Sequence, residues 1–147
     1  MSVKPYREQY VIAAAADHEF LARTIESCRR LFTGDQQTDI TKEFDGLRHL
    51  LVKKLPEHFS YEEQLVFPAL LADQPPATLA NTIVDLCEEH VALLLEAKIL
   101  KAMLGHGTLK SCTTQLWNKM LDFFQMLEQH AAKEDALYQL PPPASQG

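Results

Sequence analysis

The sequence predicts an all-α fold, an up-down-up-down antiparallel four-helix bundle, on three observations. Glycine and proline gather at three places, Thr33-Gly34-Asp35, Asp73-Gln74-Pro75-Pro76 and Gly105-His106-Gly107. The segments between them run to about 25 to 35 residues, too long and too regular for strands. Within each segment apolar residues recur at the spacing of one helix face. Short turns between long amphipathic helices make consecutive helices antiparallel neighbours.

Taken in order, the first helix spans Tyr6 to Phe32, with Val11, Ala14, Leu21, Ile25 and Cys28 on its apolar stripe and Gly34 as its C-cap residue. The second spans Asp39 to Leu71 and carries Phe44, Leu47, Leu51, Leu55 and Leu65. Pro56 and Pro68 lie inside it and are predicted to bend it or fray its end, because each removes a backbone donor and crowds the preceding turn. The third spans Thr78 to Leu104, with Thr78 as N-cap, Gly105 as C-cap and Ile83, Leu86, Leu93, Ala97 and Leu100 on its stripe. The fourth starts at Thr108 or Ser111, ends at Tyr138, and packs Leu116, Met120, Phe123, Leu127 and Leu137. Residues 1–139 form one domain, and the Pro-rich tail 140–147 is predicted to be flexible.

A chain of 147 residues buries a core without staples. Its 14 basic residues are scattered and outnumbered by 20 acidic ones, for a formal charge of -6, which argues against nucleic acid or an anionic membrane as partner. Cys28, Cys87 and Cys112 form neither a CxxC pair nor an even set, so they are read as small hydrophobes in a reducing compartment, the cytoplasm. The run Val11 to Ala16 is too short for a secretory signal, and nothing later is long enough for a membrane span.

Each apolar stripe is interrupted by a histidine: His18, His58, His90 and His130. On the second and fourth helices a glutamate follows four residues later, Glu62 after His58 and Glu134 after His130. A spacing of four puts two side chains on one helix face, a turn apart. The pattern is also repeated. His18 and His58 are 40 residues apart, as are His90 and His130, and the second set follows the first at an offset of 72. Counting from the turns leaves His18 and His58 one to two turns out of level, to be absorbed by tilt and long side chains. A carboxylate buried without a partner costs several kcal/mol, so two core glutamates matched by four core histidines point to a metal site.

Four imidazoles and two carboxylates are too many for tetrahedral zinc and too nitrogen-rich for calcium or magnesium. They suit two borderline transition metals with each glutamate able to bridge. At about six positions per metal, the six side chains fill about eight of about twelve, leaving room for a shared oxo or hydroxo group and one exogenous ligand on each metal. Such a centre binds or reduces small diatomic molecules.

Those residues, His18 in DHEF, His58 and Glu62 in HFSYEEQLVFP, His90 in EEH, and His130 and Glu134 in HAAKEDALY, resemble the hemerythrin-like (HHE cation-binding) domains over nearly the whole chain. The resemblance implies a non-haem di-iron centre, an Fe-O-Fe unit, with His18 and His58 on one iron, His90 and His130 on the other, and Glu62 and Glu134 bridging. Oxygen-carrying hemerythrins have a fifth histidine where this chain has Leu94, and an aspartate where it has Asp135; Glu134 repeats the Glu62 spacing and is the preferred ligand. The set of four histidines and two glutamates is similar to that of the di-iron proteins of iron-sulfur cluster repair, whose additional cysteine-bearing domain this chain does not show, and of iron- and oxygen-sensing domains. The function it implies is binding of, or response to, oxygen, nitric oxide or peroxide. The alternatives are a di-iron redox enzyme or iron donor in cluster repair, and a structural or iron-storage bundle.

Four residues near these are set aside. His49 lies half a turn off the His58 face and is expected to face water, and His106 sits in a turn. Glu63 points about 100° away from Glu62 and is read as a surface charge. Cys87, nearly a turn before His90, is read as a small buried hydrophobe.

Overall fold

The computed structural model describes residues 4–30, 40–72, 76–105 and 114–139. They form four helices: α1 (Lys4–Arg30), α2 (40–71), α3 (Ala77–Gly105) and α4 (Thr114–Tyr138). Gly34, Thr108, Ser111 and the tail 140–147 lie outside the described residues. Thr78 is not the cap of α3. That helix already includes Ala77, and the Pro76 carbonyl accepts from the Leu79 and Ala80 amides at 3.0 and 3.4 Å.

Side-chain pairs run in opposite directions along every pair of neighbouring helices. Tyr10 meets Tyr61 and Lys54 lies over Phe20, so α1 and α2 are antiparallel. Arg48 bonds the Leu104 carbonyl while Glu63 reaches His90, and Lys119 pairs with Glu96 while His130 meets Glu89. Asp135 meets His18 and Glu128 takes Arg29, which closes the ring between α4 and α1. The order is therefore up-down-up-down. The exposed ion pairs among these, Lys119 with Glu96 and Arg29 with Glu128, are worth about 0–1 kcal/mol each, so they help to fix register while apolar burial holds the helices together.

Neither proline ends the helix. α2 passes through both, because a π-helical turn precedes each one: Leu50–Lys54 before Pro56, and Glu62–Val66 before Pro68. In these turns the Leu55 amide donates to the Leu50 carbonyl and the Phe67 amide to the Glu62 carbonyl, five residues back. The wider turn gives the proline ring room against the carbonyl four residues before it. It also advances each residue less than an α-turn does, so Val66 is buried while Leu65, expected on the stripe, is exposed.

The apolar core is divided in two. A larger cluster packs Leu21, Ile25, Leu55, Phe59, Leu93, Phe124 and their neighbours at one end. A smaller one packs Ala14, Val66, Phe67, Leu70, Ile83, Leu86 and Leu137 at the other. In sequence His18, Glu62, His90, His130 and Glu134, five of the six buried polar residues, fall between them, and the sixth, His58, directly precedes Phe59 at the edge of the larger cluster. Among the described residues no helix is long and apolar enough to cross a membrane.

Candidate metal centre

The six residues meet in the layer between the two cores, each at 7% exposure or less. His18 and His58, expected to be out of level, have ring centroids 4.8 Å apart, as do His90 and His130. The first turns of α2 lie beyond the described end of α1, and the π turn takes up an extra residue, which brings the pair level. All four Nε2 atoms face the two carboxylates. His18 lies 3.0 Å from Glu134 Oε1 and 3.6 Å from Glu62 Oε2; His90 lies 3.0 Å from Glu134 Oε2 and 3.2 Å from Glu62 Oε1. His58 approaches Glu62 at 3.3 Å and His130 approaches Glu134 at 3.0 Å.

A second layer of carboxylates surrounds the first. His58 Nδ1 donates to Asp17 at 3.0 Å, His90 Nδ1 to Glu63 at 2.6 Å, His130 Nδ1 to Glu89 at 2.9 Å, and His18 Nδ1 to Asp135 at 2.7 Å. Each acid adjoins one of the six in sequence but serves the histidine of a neighbouring helix, so the bonds run round the bundle from α1 to α2, α3, α4 and back. Ionised carboxylates only accept, which places a proton on every Nδ1 and leaves every Nε2 aimed at the centre. Lys133 adds a 2.6 Å bond to Glu89, and that bond with the one from His130 outweighs burial and holds the Glu89 carboxyl below its usual range.

The centre carries mixed charge. Burial alone would push the His18 imidazole down, but hydrogen bonds to Glu134, Glu62 and Asp135 outweigh it and raise the group to about 10. Burial also opposes the charged form of His90, and there Glu134, Glu62 and Glu63 raise it to about 10. His58 is raised as well, with Glu62 and Asp17 overcoming burial. Glu62 and Glu134 are held low despite burial, by the histidines around them. The Tyr138 hydroxyl donates to Glu62, and burial with the charges of Glu134 and Glu62 raises it, so it stays protonated.

These shifts predict the pH dependence of the metal-free protein. His18 and His90 are raised above their ordinary 6.5, so their contribution is complete below that value and is lost as pH climbs through about 10. Glu62 and Glu134 are lowered from 4.5, so theirs is complete above 4.5 and is lost toward acid. Chelator-treated protein is expected to melt highest between about pH 4.5 and 6.5, and several degrees lower near pH 9.5. Equal melting at pH 5.5 and 9.5 would contradict the assignment.

Protons do not complete the site. His58 Nε2, Glu62 Oε1 and His130 Nε2 are buried and have no aligned hydrogen-bond partner among the described residues. Such orphaned atoms are rare in native proteins. Their positions fit a cation: His18, His58, Glu62 and Glu134 offer four ligand atoms within 4.8 Å of one another, and Glu62, His90, His130 and Glu134 offer a second set. The two sets share both glutamates. Imidazole and carboxylate together suit borderline transition metals.

Aromatic packing differs between the two halves. The His90 ring stacks on Phe59 at 3.9 Å and 11° and on Phe67 at 5.8 Å and 14°. Among the described residues His18 stacks only on Tyr138, at 5.9 Å and 19°.

An antiparallel four-helix bundle with paired histidine and glutamate sets in its middle layer defines a helical cation-binding domain. Residues 13–139 match the hemerythrin HHE cation binding domain, and the chain belongs to that family. No curated protein and no solved structure matches it significantly.

The remaining expectations divide. Glu134 lies in both ligand sets, whereas Asp135 is 45% exposed and bonds the outer nitrogen of His18. His49 faces solvent as expected, and His106 lies outside the described residues. Glu63 is corrected: 43% exposed, it is nonetheless bonded to His90, because the π turn beginning at Glu62 keeps it closer to the inner face than an α-turn would. Cys87 is half-buried against the smaller core, and its thiol is raised by burial and by Glu63, Glu134 and Glu62. The ring of acids was readable in one respect. Asp17 and Glu89, and likewise Glu63 and Asp135, are separated by the same 72 residues as the inner set.

Proposed function

We propose that this domain holds two non-haem iron ions, with His18 and His58 on one, His90 and His130 on the other, and Glu62 and Glu134 shared, and that it binds or responds to oxygen, nitric oxide or peroxide in a reducing compartment such as the cytoplasm. The observation that carries this reading is the pair of four-residue ligand sets with both carboxylates in common. Two irons supply redox chemistry and open positions for a small ligand.

The chain's own residues do the rest. The Nδ1 bonds to Asp17, Glu63, Glu89 and Asp135 fix each imidazole's tautomer and ring orientation and raise its basicity. The Tyr138 hydroxyl holds a proton at Glu62 Oε2. The two apolar clusters exclude water on either side, which strengthens every electrostatic interaction in the layer.

Asp17→Ala and Glu63→Ala are each expected to lower iron affinity about 10- to 100-fold, since each acid holds the outer nitrogen of a histidine in the ligand sets. Competition with a coloured iron chelator reads the change, and unaltered affinity in both would remove the orienting role.

The function is tested on protein loaded anaerobically with ferrous iron, then exposed in turn to oxygen, nitric oxide and peroxide while the near-ultraviolet and visible spectrum is recorded. New charge-transfer absorption with at least one of them is expected. Loss of the oxygen signal on deoxygenation assigns carriage, and an irreversible change assigns sensing or catalysis. No spectral response to any of the three sinks the reading.

A further inference from the structure

α3 is apolar on two opposite faces. Ile83, Leu86, Leu93, Ala97 and Leu100 point into the bundle and are buried. On the other side Val84, Val91 and Leu95 are 55%, 70% and 59% exposed, with Ile99 beside them at 40%. Scattered exposed apolar residues are ordinary, but these are aligned. Val84, Glu88, Val91, Leu95, Lys98 and Ala102 follow one another in alternating steps of four and three, and all six are exposed. That is the heptad spacing of a helix–helix seam, here facing solvent.

The charges on this face are ordered about its middle. Asp85 and Glu88 precede the apolar pair Val91 and Leu95, and Lys98 and Lys101 follow at the mirrored positions. Within one chain the arrangement is unhelpful, since like charges three residues apart on a helix repel. Among the described residues none of the four has an ion-pair partner. The helix dipole does not explain them either. Its influence is confined to the terminal turns, and α3 has no acidic residue in its first turn and no basic one in its last.

A second copy laid antiparallel along the seam resolves all of this. A twofold axis midway between Val91 and Leu95 sets Val91 against Leu95 of the second copy and Val84 against its Ala102. The same axis sets Glu88 against its Lys98 and Asp85 against its Lys101. Each contact occurs twice, as an isologous interface requires. A parallel copy would set Glu88 against Glu88 and Lys98 against Lys98, so the charges select the antiparallel arrangement as well as the partner. We propose that the outer face of α3 is a homodimer interface, in which a second copy of this chain packs antiparallel about a twofold axis midway between Val91 and Leu95.

The proposal does not depend on the metal in the bundle. Sedimentation velocity on the iron-loaded full chain, over a range of micromolar concentrations and at low and moderate salt, tests it. Wild-type protein is expected to be dimeric. Leu95→Glu is expected to be monomeric with unchanged helical circular dichroism and iron content, because the position is exposed. Glu88→Lys is expected to weaken dimerisation at least tenfold, and Glu88→Lys combined with Lys98→Glu to restore it. A wild-type monomer throughout, a dimer indifferent to Leu95→Glu, or a double variant no better than Glu88→Lys alone would each overturn the proposal.

Discussion

Glu62→Gln is expected to reduce bound iron from two per chain to one or fewer and to remove most of the rise in melting temperature that iron gives the wild type. Glu62 is fully buried and belongs to both ligand sets, so its loss is felt at both. The amide is nearly isosteric, but it removes the charge and turns an –NH2 group toward the cations. Iron present at about 1,000 times its dissociation constant stabilises the fold by about 4 kcal/mol, and the variant forgoes most of that. The metal-free variant is weakened too. His18, His58 and His90 all lean on Glu62, and removing one partner of a buried charged pair costs about 3–5 kcal/mol. Glu134→Gln is expected to behave alike, and the double variant to lose little more iron than either single one, because the two carboxylates act as a unit. Iron analysis and melting curves with and without ferrous ion check this; two irons bound to both single variants would refute the shared role.

Phe59→Ala is expected to cost about 3–5 kcal/mol of folding stability, the usual range for emptying a buried phenylalanine site. Phe59 is 1% exposed, belongs to the larger core, and lies flat against His90 while touching His58 and His130 edge-on or tilted. The truncation therefore opens a cavity beside three of the four histidines. Besides the stability loss, measured by denaturant titration of metal-free protein, it is expected to weaken iron binding by letting His90 turn. Phe59→Leu fills most of the volume and separates the two effects: stability is largely kept, and the flat stacking against His90 is lost. A cost under about 1 kcal/mol for the alanine variant would show that the wall beside His90 collapses or is supported from elsewhere.

Much of this centre was visible in the residue order, and the reason is periodicity. A polar residue on a helix stripe can be detected only because its neighbours are apolar, and His18, His58, His90 and His130 each break such a stripe. Glu62 and Glu134 stood out because they repeat at the same spacing. The outer acids were hidden because the same method looks at one face of one helix. Glu63 is half-exposed, and its partner His90 lies on another helix, so locally it is indistinguishable from a solvated charge. What could have revealed it was the shared offset with Asp135. The π turns were half legible: Pro56 and Pro68 marked their places, but sequence does not say whether a helix relieves a proline by bending or by widening a turn. Phe67 and Tyr138 packing on the imidazoles followed from no motif, since aromatic residues on helical stripes are ordinary core.

The proposed centre holds two irons between shared glutamates within one chain. Anaerobic titration of metal-free protein with ferrous iron, followed by the spectroscopic signature of magnetically coupled iron, tests it most directly. An end point at two irons per chain is expected, with coupling that disappears in Glu62→Gln. An end point at one iron, uncoupled iron at two, or no binding at all would contradict it.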